Sequence, residues 1–294
     1  MSITVENQAD ARRETGTGGS GPLPAAAVRP RSAMPAALIR AAALARPLGR
    51  AVTAALVLIG IWQVLIIALR PPAYLLPAPV AVFAVFRDRG GFLLDNAAVT
   101  AAEIAIGLAG GALLGILTAL VIASFALARR LLLPAVVVTQ ALPVFAIAPL
   151  LVVWLGYGLE SKIVMAILII YFPVASAYAD GMARTDPHLI DVAKLSGASS
   201  LQMLALIRAP AGLPGLVAGL RVAASVAPIG AVVGEWVGAS AGLGYVMLHA
   251  NARLQTDVLF AALALLAVLT LSLRAAVDAL LARLAPWAPV TTPL

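Results

Sequence analysis

Long apolar runs separated by short charged segments make up most of the chain from residue 51 onward. Residues 51–69 carry no charge and lie between Arg50 and Arg70, and residues 104–128 are equally free of charge. About 20 apolar residues are enough to cross the hydrocarbon core of a bilayer. The pattern therefore predicts an all-α polytopic membrane protein with six helices, at about 51–69, 99–128, 131–155, 162–181, 211–235 and 256–282.

The segments outside these runs differ in kind. Residues 1–45 mix Gly, Pro, Ala and Arg without periodicity, which predicts a disordered basic tail. A transmembrane domain would follow over 46–285, and residues 286–294 would form a C-terminal tail. After the first span, the stretch LPAPVAVFAVF begins with prolines that favour a helix start, and it stays apolar on most faces. We expect it to form a helix lying on the membrane surface.

A polar segment, residues 184–210, interrupts the apolar runs. The Asp-Pro pair at 186–187 is typical of a helix N-cap followed by the first helical position. Gly197 is the expected left-handed stop, and Ser199 would cap a second short helix ending before Pro210. Connectors between helices are usually about 2–8 residues long, so two capped helices favour a docking surface over a simple chain reversal.

The composition supports the membrane interpretation and excludes several kinds of site. The chain is 62% hydrophobic and 11% charged, whereas soluble domains carry about 25% charged residues. Without cysteine, disulfides, thiol catalysis and Cys-ligated metals are excluded. With only two histidines, His188 and His249, we expect no metal site. The absence of a nucleophile with a paired base argues against a membrane-embedded enzyme.

The chain also lacks the means to hydrolyse ATP. A phosphate-binding loop needs Gly-Lys followed by Ser or Thr, but the two lysines, Lys162 and Lys194, follow Ser and Ala. We therefore expect no cofactor on this chain, and ATP with magnesium would bind to a separate ATPase.

Lysine and arginine positions predict the orientation. With a cytoplasmic N-terminus, ten of these residues lie near the inner ends of the helices and five near the outer ends. Positive residues are enriched on the cytoplasmic side of membrane proteins. Both termini and the 184–210 segment are therefore predicted to be cytoplasmic.

An ion-coupled carrier is the main alternative from another class. Such carriers place ionisable groups inside the membrane span. Only Arg221 and Glu235 are expected to qualify: Arg221 can reach the inner surface, and Glu235 lies at an outer helix end. Neither position suits a relay at the membrane centre.

The glycines at 107, 111 and 115 match the GxxxG spacing and favour close helix packing, within one subunit or at a dimer seam.

A few polar, aromatic and proline residues are candidates for a substrate path. Pro143 and Pro149 are expected to disrupt the third helix. Broken helices in membranes often line cavities, although simple kinking explains these prolines equally well. Glu235 and Trp236 precede a glycine-rich turn, where they fit a gate, a contact with a substrate-binding protein, or an interfacial anchor with a solvated carboxylate. The candidates are Gln140, Pro143, Phe145, Trp154, Glu235, Trp236 and Asn251.

The polar segment carries a recognisable motif. DVAKLSGASSLQMLALIRAP resembles the cytoplasmic loop of ABC importer permeases, in which an acidic residue, small residues, a glycine and Ile-x-x-Pro recur. This sequence has Asp for the usual Glu, Val192 for the first Ala, and Ala209 for Leu. The resemblance implies a type I permease fold whose loop contacts the ATPase through Asp191, Ala193, Gly197, Ala198, Ile207 and Pro210.

The resemblance covers about residues 51–285 and implies partners as well. It implies an inner-membrane subunit, a second permease subunit in a homodimer or heterodimer, an ATPase and a periplasmic binding protein. The segments ALPVFAIAPLLVVWLGYG and GEWVGASAGLGYVMLHANARLQTD are similar to the nitrate, sulfonate and taurine permease group. Within it, the second segment is most similar to permeases for hydroxymethylpyrimidine, a thiamine precursor. Sulfonate, taurine or nitrate remain alternative substrates.

Overall fold

The computed structural model describes residues 36–141 and 143–284, and all the elements in this part of the chain are helical. This confirms the all-α fold. The chain divides into two compact units, Met1–Val57 and Leu58–Leu294, and the division falls within the first helix. The helices are α1 Ala36–Leu69, α2 Pro79–Ser124, α3 Ala126–Ala141, α4 Val144–Leu155, α5 Leu159–Ala183, α6 Pro187–Leu195, α7 Ser200–Gln202, α8 Ala209–Gly238, α9 Leu243–Ala252 and α10 Thr256–Leu284.

Two predicted boundaries near the N-terminus need correction. Helix α1 extends back to Ala36, so residues 36–45 are helical rather than part of a disordered tail; residues 1–35 lie outside the described part. Helix α2 unites the predicted surface helix with the second span. Its backbone leaves helical geometry at Arg89, with φ −128° and ψ 21°, and resumes at once. No proline follows Arg89 to block the continuation, so the chain kinks there instead of ending a helix.

The predicted third span is two helices, not one. Pro143 is the N-cap of α4, with φ −65° and ψ 110°, and α3 ends at Ala141. Proline disfavours helix in the residue before it, which explains the break. Pro149 also lies in this segment, but α4 continues through it. The prediction that both prolines disrupt the helix is therefore right for Pro143 and wrong for Pro149.

Within residues 36–141 and 143–284, four helical segments are long and apolar enough to cross a membrane: 79–124, 159–183, 200–238 and 256–283. The other two predicted spans correspond to shorter apolar helical segments, 53–69 and 145–155. The count of six spans is therefore not confirmed. Residues 285–294, which include the predicted C-terminal tail, lie outside the described part.

Helix α5 is at the centre of the bundle, with α2 beside it running in the same direction. The three glycines at 107, 111 and 115 on α2 are buried against α5. A Cβ on Gly111 would lie 2.6 Å from the Ile170 Cγ2, and one on Gly115 would lie 2.9 Å from the Val174 Cβ. The GxxxG stripe therefore packs within the subunit, as one of its two predicted roles required.

Helix α8 runs antiparallel to α5 on its other side, again at close range. A Cβ on Gly219 would lie 2.6 Å from the carbonyl oxygen of Pro173, and one on Gly230 would lie 3.0 Å from the Cα of Ala166. Ala166 itself is fully buried between the two neighbours. Small residues allow membrane helices to approach this closely, so packing contacts replace the hydrophobic drive that is absent in lipid.

A second group of buried side chains joins α9 and α10 to the first half of α2 and to α8. Leu93 of α2, Leu243 of α9 and Ala261 of α10 are completely buried in it. On its edge, the ring of Trp62 packs against that of Phe260, with ring centroids 5.3 Å apart. This group keeps the α8–α9 connection at one end of the bundle, which we call the far end. The 184–208 segment lies at the opposite end, the loop end.

The α2–α5 contact gives a first test. Replacing Gly111 by Ala forces a methyl group against Ile170, and overpacking of this kind typically costs about 1–3 kcal/mol. Gly111→Ala should lower the thermal unfolding midpoint in detergent. Gly60→Ala is the matched control, because a Cβ at Gly60 points into open space. Equal midpoints for the two variants would contradict the packing described here.

Candidate functional site

The first half of the loop is a well-capped helix. The Asp186 side chain accepts a hydrogen bond from the backbone N–H of His188 at 2.9 Å, and Pro187 occupies the first helical turn, as predicted. Gly197 follows α6 with φ +76°, which confirms the expected left-handed stop. Its missing side chain would point into open space, so only the backbone conformation requires glycine there.

The second half of the loop differs from the prediction. Ser199 caps α7 in a full capping box: its hydroxyl accepts from the Gln202 N–H, and the Gln202 side chain accepts from the Ser199 N–H. The helix does not end before Pro210. A π-helical turn over Met203–Arg208 leads directly into α8, with Pro210 in its first turn. A π turn shifts the hydrogen-bond pattern by one residue, and we infer that this shift accommodates the missing N–H of Pro210.

The loop exposes apolar side chains at the loop end. Leu189, Val192, Leu195 and Leu201 are all exposed, while Ala193 is buried against the rest of the chain. Ala193 therefore points inward, whereas the leucines and the valine point outward.

The other predicted contact residues lie on the same segment. Asp191 is exposed and forms an ion pair with Lys194 at 3.6 Å, so it does not brace the interior of the loop. Ala198, Ile207 and Pro210 are partly buried. Of the six predicted residues, Asp191 and Gly197 are the ones exposed at the surface.

Arg208 ties the loop to α2. Its Nη1 donates to the carbonyl oxygen of Ala123 at 3.1 Å, next to the end of α2, where helical carbonyls lack partners. A cavity of about 410 Å³ separates the loop from this helix end, and it is bordered by Phe125, Lys194 and Arg208 among others. The loop is thus bonded to α2 at one point and borders a cavity beside that bond.

The predicted path residues lie on several different elements. Pro143, Phe145 and Trp154 belong to the α3–α4 segment and are exposed, as is Trp236 on α8. Asn251 is exposed near the end of α9. The side chain of Gln140 lies outside the described part. Glu235 is different, because it is almost completely buried, so the alternative of an interfacial anchor with a solvated carboxylate is wrong.

A buried ion pair lies at the far end, between α2 and α5. The Lys162 Nζ is 2.9 Å from the Glu103 Oε1, and both side chains are buried, with 8% and 0% of their surface exposed. Lys162 lies in the first turn of α5, and its Cα is next to Gly234 of α8. Such a pair is strongly held, because removing either partner leaves an uncompensated buried charge.

Glu235 and two α2 side chains bind the N-terminus of α9. The first amides of a helix lack partners within it, and here each finds an acceptor on another helix. The Gly242 N–H donates to the Asn96 Oδ1 and the Leu243 N–H to the Thr100 Oγ1, both at 2.8 Å. The N–H groups of Gly244 and Tyr245 both donate to the Glu235 Oε2.

A further hydrogen bond in the same network joins α2 to α8. The Thr100 hydroxyl donates to the Glu235 Oε1 at 2.6 Å while accepting from α9. Thr100 and Glu103 are one turn apart on α2, so the Glu235 contacts and the Glu103–Lys162 pair form one continuous buried group. We call Asn96, Thr100, Glu103, Lys162 and Glu235 the far-end cluster.

Sequence reasoning missed most of this cluster. Lys162 was counted as a charge near an outer helix end, and Glu103 was not considered as a membrane group. The statement that only Arg221 and Glu235 qualify as ionisable groups within the spans is therefore wrong. A signal was present, because the residues at 96, 100 and 103 lie on one face of α2, continued by the buried glycines at 107, 111 and 115.

Arg221 also behaves differently from the prediction. Its Nε donates to the Asp278 Oδ1 at 2.8 Å, so it pairs with α10 instead of extending alone to the surface. Arg274 donates to the other oxygen of Asp278 at 2.9 Å and to the Arg221 carbonyl oxygen at 3.0 Å. These bonds tie α8 to α10 nearer the loop end.

Comparisons with known proteins agree with this architecture. Residues 111–288 match the model of the family described as binding-protein-dependent transport system inner membrane component. The inward-facing MetNI methionine ABC transporter contains a chain of similar fold, with a TM-score of 0.56 at 20% identity, covering 65% of this chain and 94% of that one.

Curated relatives match over most of their length. A probable ABC transporter permease of Haemophilus influenzae is 49% identical over 77% of this chain and 93% of its own. The formylaminopyrimidine transport permease of Halalkalibacterium halodurans is 34% identical over 79% and 93%, and the taurine transport permease of Escherichia coli 30% identical over 82% and 92%. The chain belongs to the binding-protein-dependent transport permease family and is a permease subunit of an ABC importer.

The hydroxyl of Thr100 gives a test of the far-end cluster. Thr100→Val keeps the shape of the side chain but leaves the Leu243 N–H and an oxygen of Glu235 without their partner. Each buried group left unsatisfied costs about 1–3 kcal/mol, so the thermal unfolding midpoint in detergent should fall clearly.

Thr270→Val is the control for that substitution. The Thr270 hydroxyl bonds only to a carbonyl one turn back in α10, at 2.7 Å, and its loss leaves no other helix unsatisfied. If Thr270→Val destabilised the protein as much as Thr100→Val, the cross-helix role given to Thr100 would be wrong.

Proposed function

We propose that this permease moves a small neutral heteroaromatic solute across the inner membrane, with both chain termini in the cytoplasm. A periplasmic binding protein would deliver the solute. A separate ATPase, which would bind ATP and magnesium, would contact the 184–208 segment. A second permease subunit, identical in the simplest arrangement, would complete the path.

One observation carries the coupling part of the proposal. The loop combines strong local caps with exposed Leu189, Val192, Leu195 and Leu201, on a segment that follows a spanning helix. A rigid helix that presents apolar side chains outside the membrane is suited to a groove on a partner protein. The same segment carries the motif that resembles the ATPase-contacting loop of importer permeases.

Continuous helical structure connects the loop to the bundle. Helical structure runs without interruption from Ser200 to Gly238, and Glu235 lies three residues before its end. Arg208 adds a direct bond from the loop to α2. A displacement of the loop would therefore act on two core helices at once.

The substrate proposal depends on the relatives and on side-chain chemistry. One relative is named a formylaminopyrimidine permease and another, from Chloroflexus aurantiacus, a riboflavin permease, each 34% identical to this chain. Both named solutes contain nitrogen heterocycles. The exposed path candidates Phe145, Trp154 and Trp236 offer stacking surfaces, and Asn251 offers an amide. A thiamine precursor such as hydroxymethylpyrimidine fits this set.

A sulfonate or taurine is the second candidate. It is favoured by the taurine permease of Escherichia coli and an aliphatic sulfonate permease of Bacillus subtilis, which are 30% and 31% identical to this chain. Such anions are usually held by arginine through paired hydrogen bonds. Arg221 and Arg274, however, are already engaged with Asp278. We therefore rank the neutral ring above the anion.

The loop proposal predicts a specific loss of partner binding. Gly197→Val places a β-branched side chain at φ +76°, which strains the backbone by about 1–2 kcal/mol and should reshape the junction after α6. The variant should insert normally but co-purify less with the ATPase and transport more slowly. Asp191→Lys should act similarly, because Asp191 is exposed where a partner can reach it.

Gly156→Val is a closely matched control for Gly197→Val. Gly156 also has positive φ, +84°, and open space around its missing side chain, but it lies at the far end, between α4 and α5. The Gly156→Val variant should still co-purify with the ATPase. If both loop variants still co-purified with the ATPase and transported at the normal rate, the loop would be a simple connector.

The substrate proposal predicts a growth defect. A strain that lacks this gene and cannot synthesise hydroxymethylpyrimidine should fail to grow on low external concentrations of it, while its use of taurine and nitrate stays normal. Titration of the binding protein encoded beside the gene would test the same point directly. Tight binding of a sulfonate or nitrate there, with none of the pyrimidine, would reverse the ranking and leave the permease assignment untouched.

A further inference from the structure

The far-end cluster contains two carboxyl groups but one ammonium group. Glu103, Lys162 and Glu235 are all buried, with 0%, 7% and 1% of their surfaces exposed. If both glutamates were ionised, the group would carry a net negative charge inside a membrane bundle. An uncompensated buried charge is strongly disfavoured, and such groups usually change their protonation state instead.

Hydrogen-bond donors are distributed unevenly over the four carboxyl oxygens. The Glu235 Oε1 accepts from Thr100, and its Oε2 accepts from the amides of α9. The Glu103 Oε1 accepts from Lys162. The Glu103 Oε2 is buried and has no donor among residues 36–141 and 143–284. A buried oxygen without a donor is rare in native structures and calls for an explanation.

The two carboxyl groups are neighbours. Thr100, one turn from Glu103 on α2, bonds to Glu235, and Lys162, the partner of Glu103, has its Cα next to Gly234. These contacts place both carboxyl groups in one buried group between α2, α5 and α8. Two ionised carboxylates in such a group repel each other, whereas a proton shared between them forms a strong hydrogen bond.

We propose that Glu103 and Glu235 share a single proton, which makes the far-end cluster with Lys162 electrically neutral. The proton supplies the partner that the Glu103 Oε2 lacks. The remaining negative charge balances Lys162 and receives the amides at the N-terminus of α9, where an anion is favoured by the helix dipole. One bound proton thus satisfies the charge balance and the hydrogen-bond count together.

Infrared spectroscopy tests the proposal directly. The purified full-length protein at neutral pH should show the carbonyl stretch of a protonated, buried carboxylic acid. The band should disappear in Glu103→Gln and also in Glu235→Gln, because the remaining glutamate then ionises and pairs with Lys162. Its loss from both variants is the signature of a shared proton.

Glu160→Gln provides the matched control. Glu160 is exposed in the same turn of α5 as Lys162, so its substitution should leave the band unchanged. Lys162→Met should have the opposite effect to the two core variants. With the ammonium removed, both glutamates need protons, and the band should grow about twofold.

The wild-type spectrum alone can overturn the proposal if either core variant fails to fold. Absence of a carboxylic acid band from the wild type would mean that both glutamates are ionised. Persistence of the band in either Glu→Gln variant would mean that one residue holds the proton by itself. Neither outcome affects the loop or the substrate proposals, because those depend on other residues.

Discussion

The close approach of α2 and α8 to α5 is the constraint on which the other features depend. Lipid tails are as apolar as leucine, so membrane helices gain little from hiding apolar surface against one another and associate through packing. Glycine on the neighbouring helices is what permits that packing here. At Gly230 the α8 backbone comes so near α5 that an added Cβ would lie 3.0 Å from the Ala166 Cα. The same approach at Gly234 puts Lys162 beside α8 while its ammonium reaches Glu103 on α2. The ion pair exists because the glycines bring three backbones within reach of one side chain.

Burial then dictates the chemistry of the far end. The N-terminus of α9 begins inside the bundle, where water cannot satisfy its amides, and unsatisfied backbone groups are costly in that environment. Glu235 on α8 and Thr100 and Asn96 on α2 accept the hydrogen bonds that those amides donate. At the loop end the requirement is weaker, and short-range caps suffice, as with Asp186 on α6 and Ser199 on α7. The buried helix start therefore bonds to acceptors far away in the sequence, whereas the exposed helix starts bond to acceptors beside them in the chain.

This contrast explains which features could be predicted from the sequence. The loop caps depend on neighbours in the chain, so the Asp-Pro start of α6 and the left-handed Gly197 were predicted correctly. The far-end cluster depends on residues 59 to 146 positions apart, which no local pattern connects. The sequence therefore did not identify Glu103 and Lys162 as members of one buried group. The helix ends near prolines fell between these cases. Pro143 stopped a helix as expected, but at Pro210 a π turn over Met203–Arg208 carries the helix into α8, which the sequence did not reveal.

Helix α8 connects the loop end of the bundle to the far end, so a movement at one end can be transmitted to the other. Its helical segment begins in the capped loop and ends just past Glu235, so the two differently built ends are parts of one element. A rod of 39 residues is about 58 Å long, and its close contacts with α5 along the glycine face resist local bending. A force at the loop would then tend to tilt α8 as a unit, and α5 and α2 with it, because Arg208 and the far-end cluster tie α2 at both ends.

The π turn over Met203–Arg208 is the part of the rod with the weakest regular hydrogen bonding. Any flexing between loop and bundle would therefore concentrate there and not in the core, where the buried charges depend on fixed spacing.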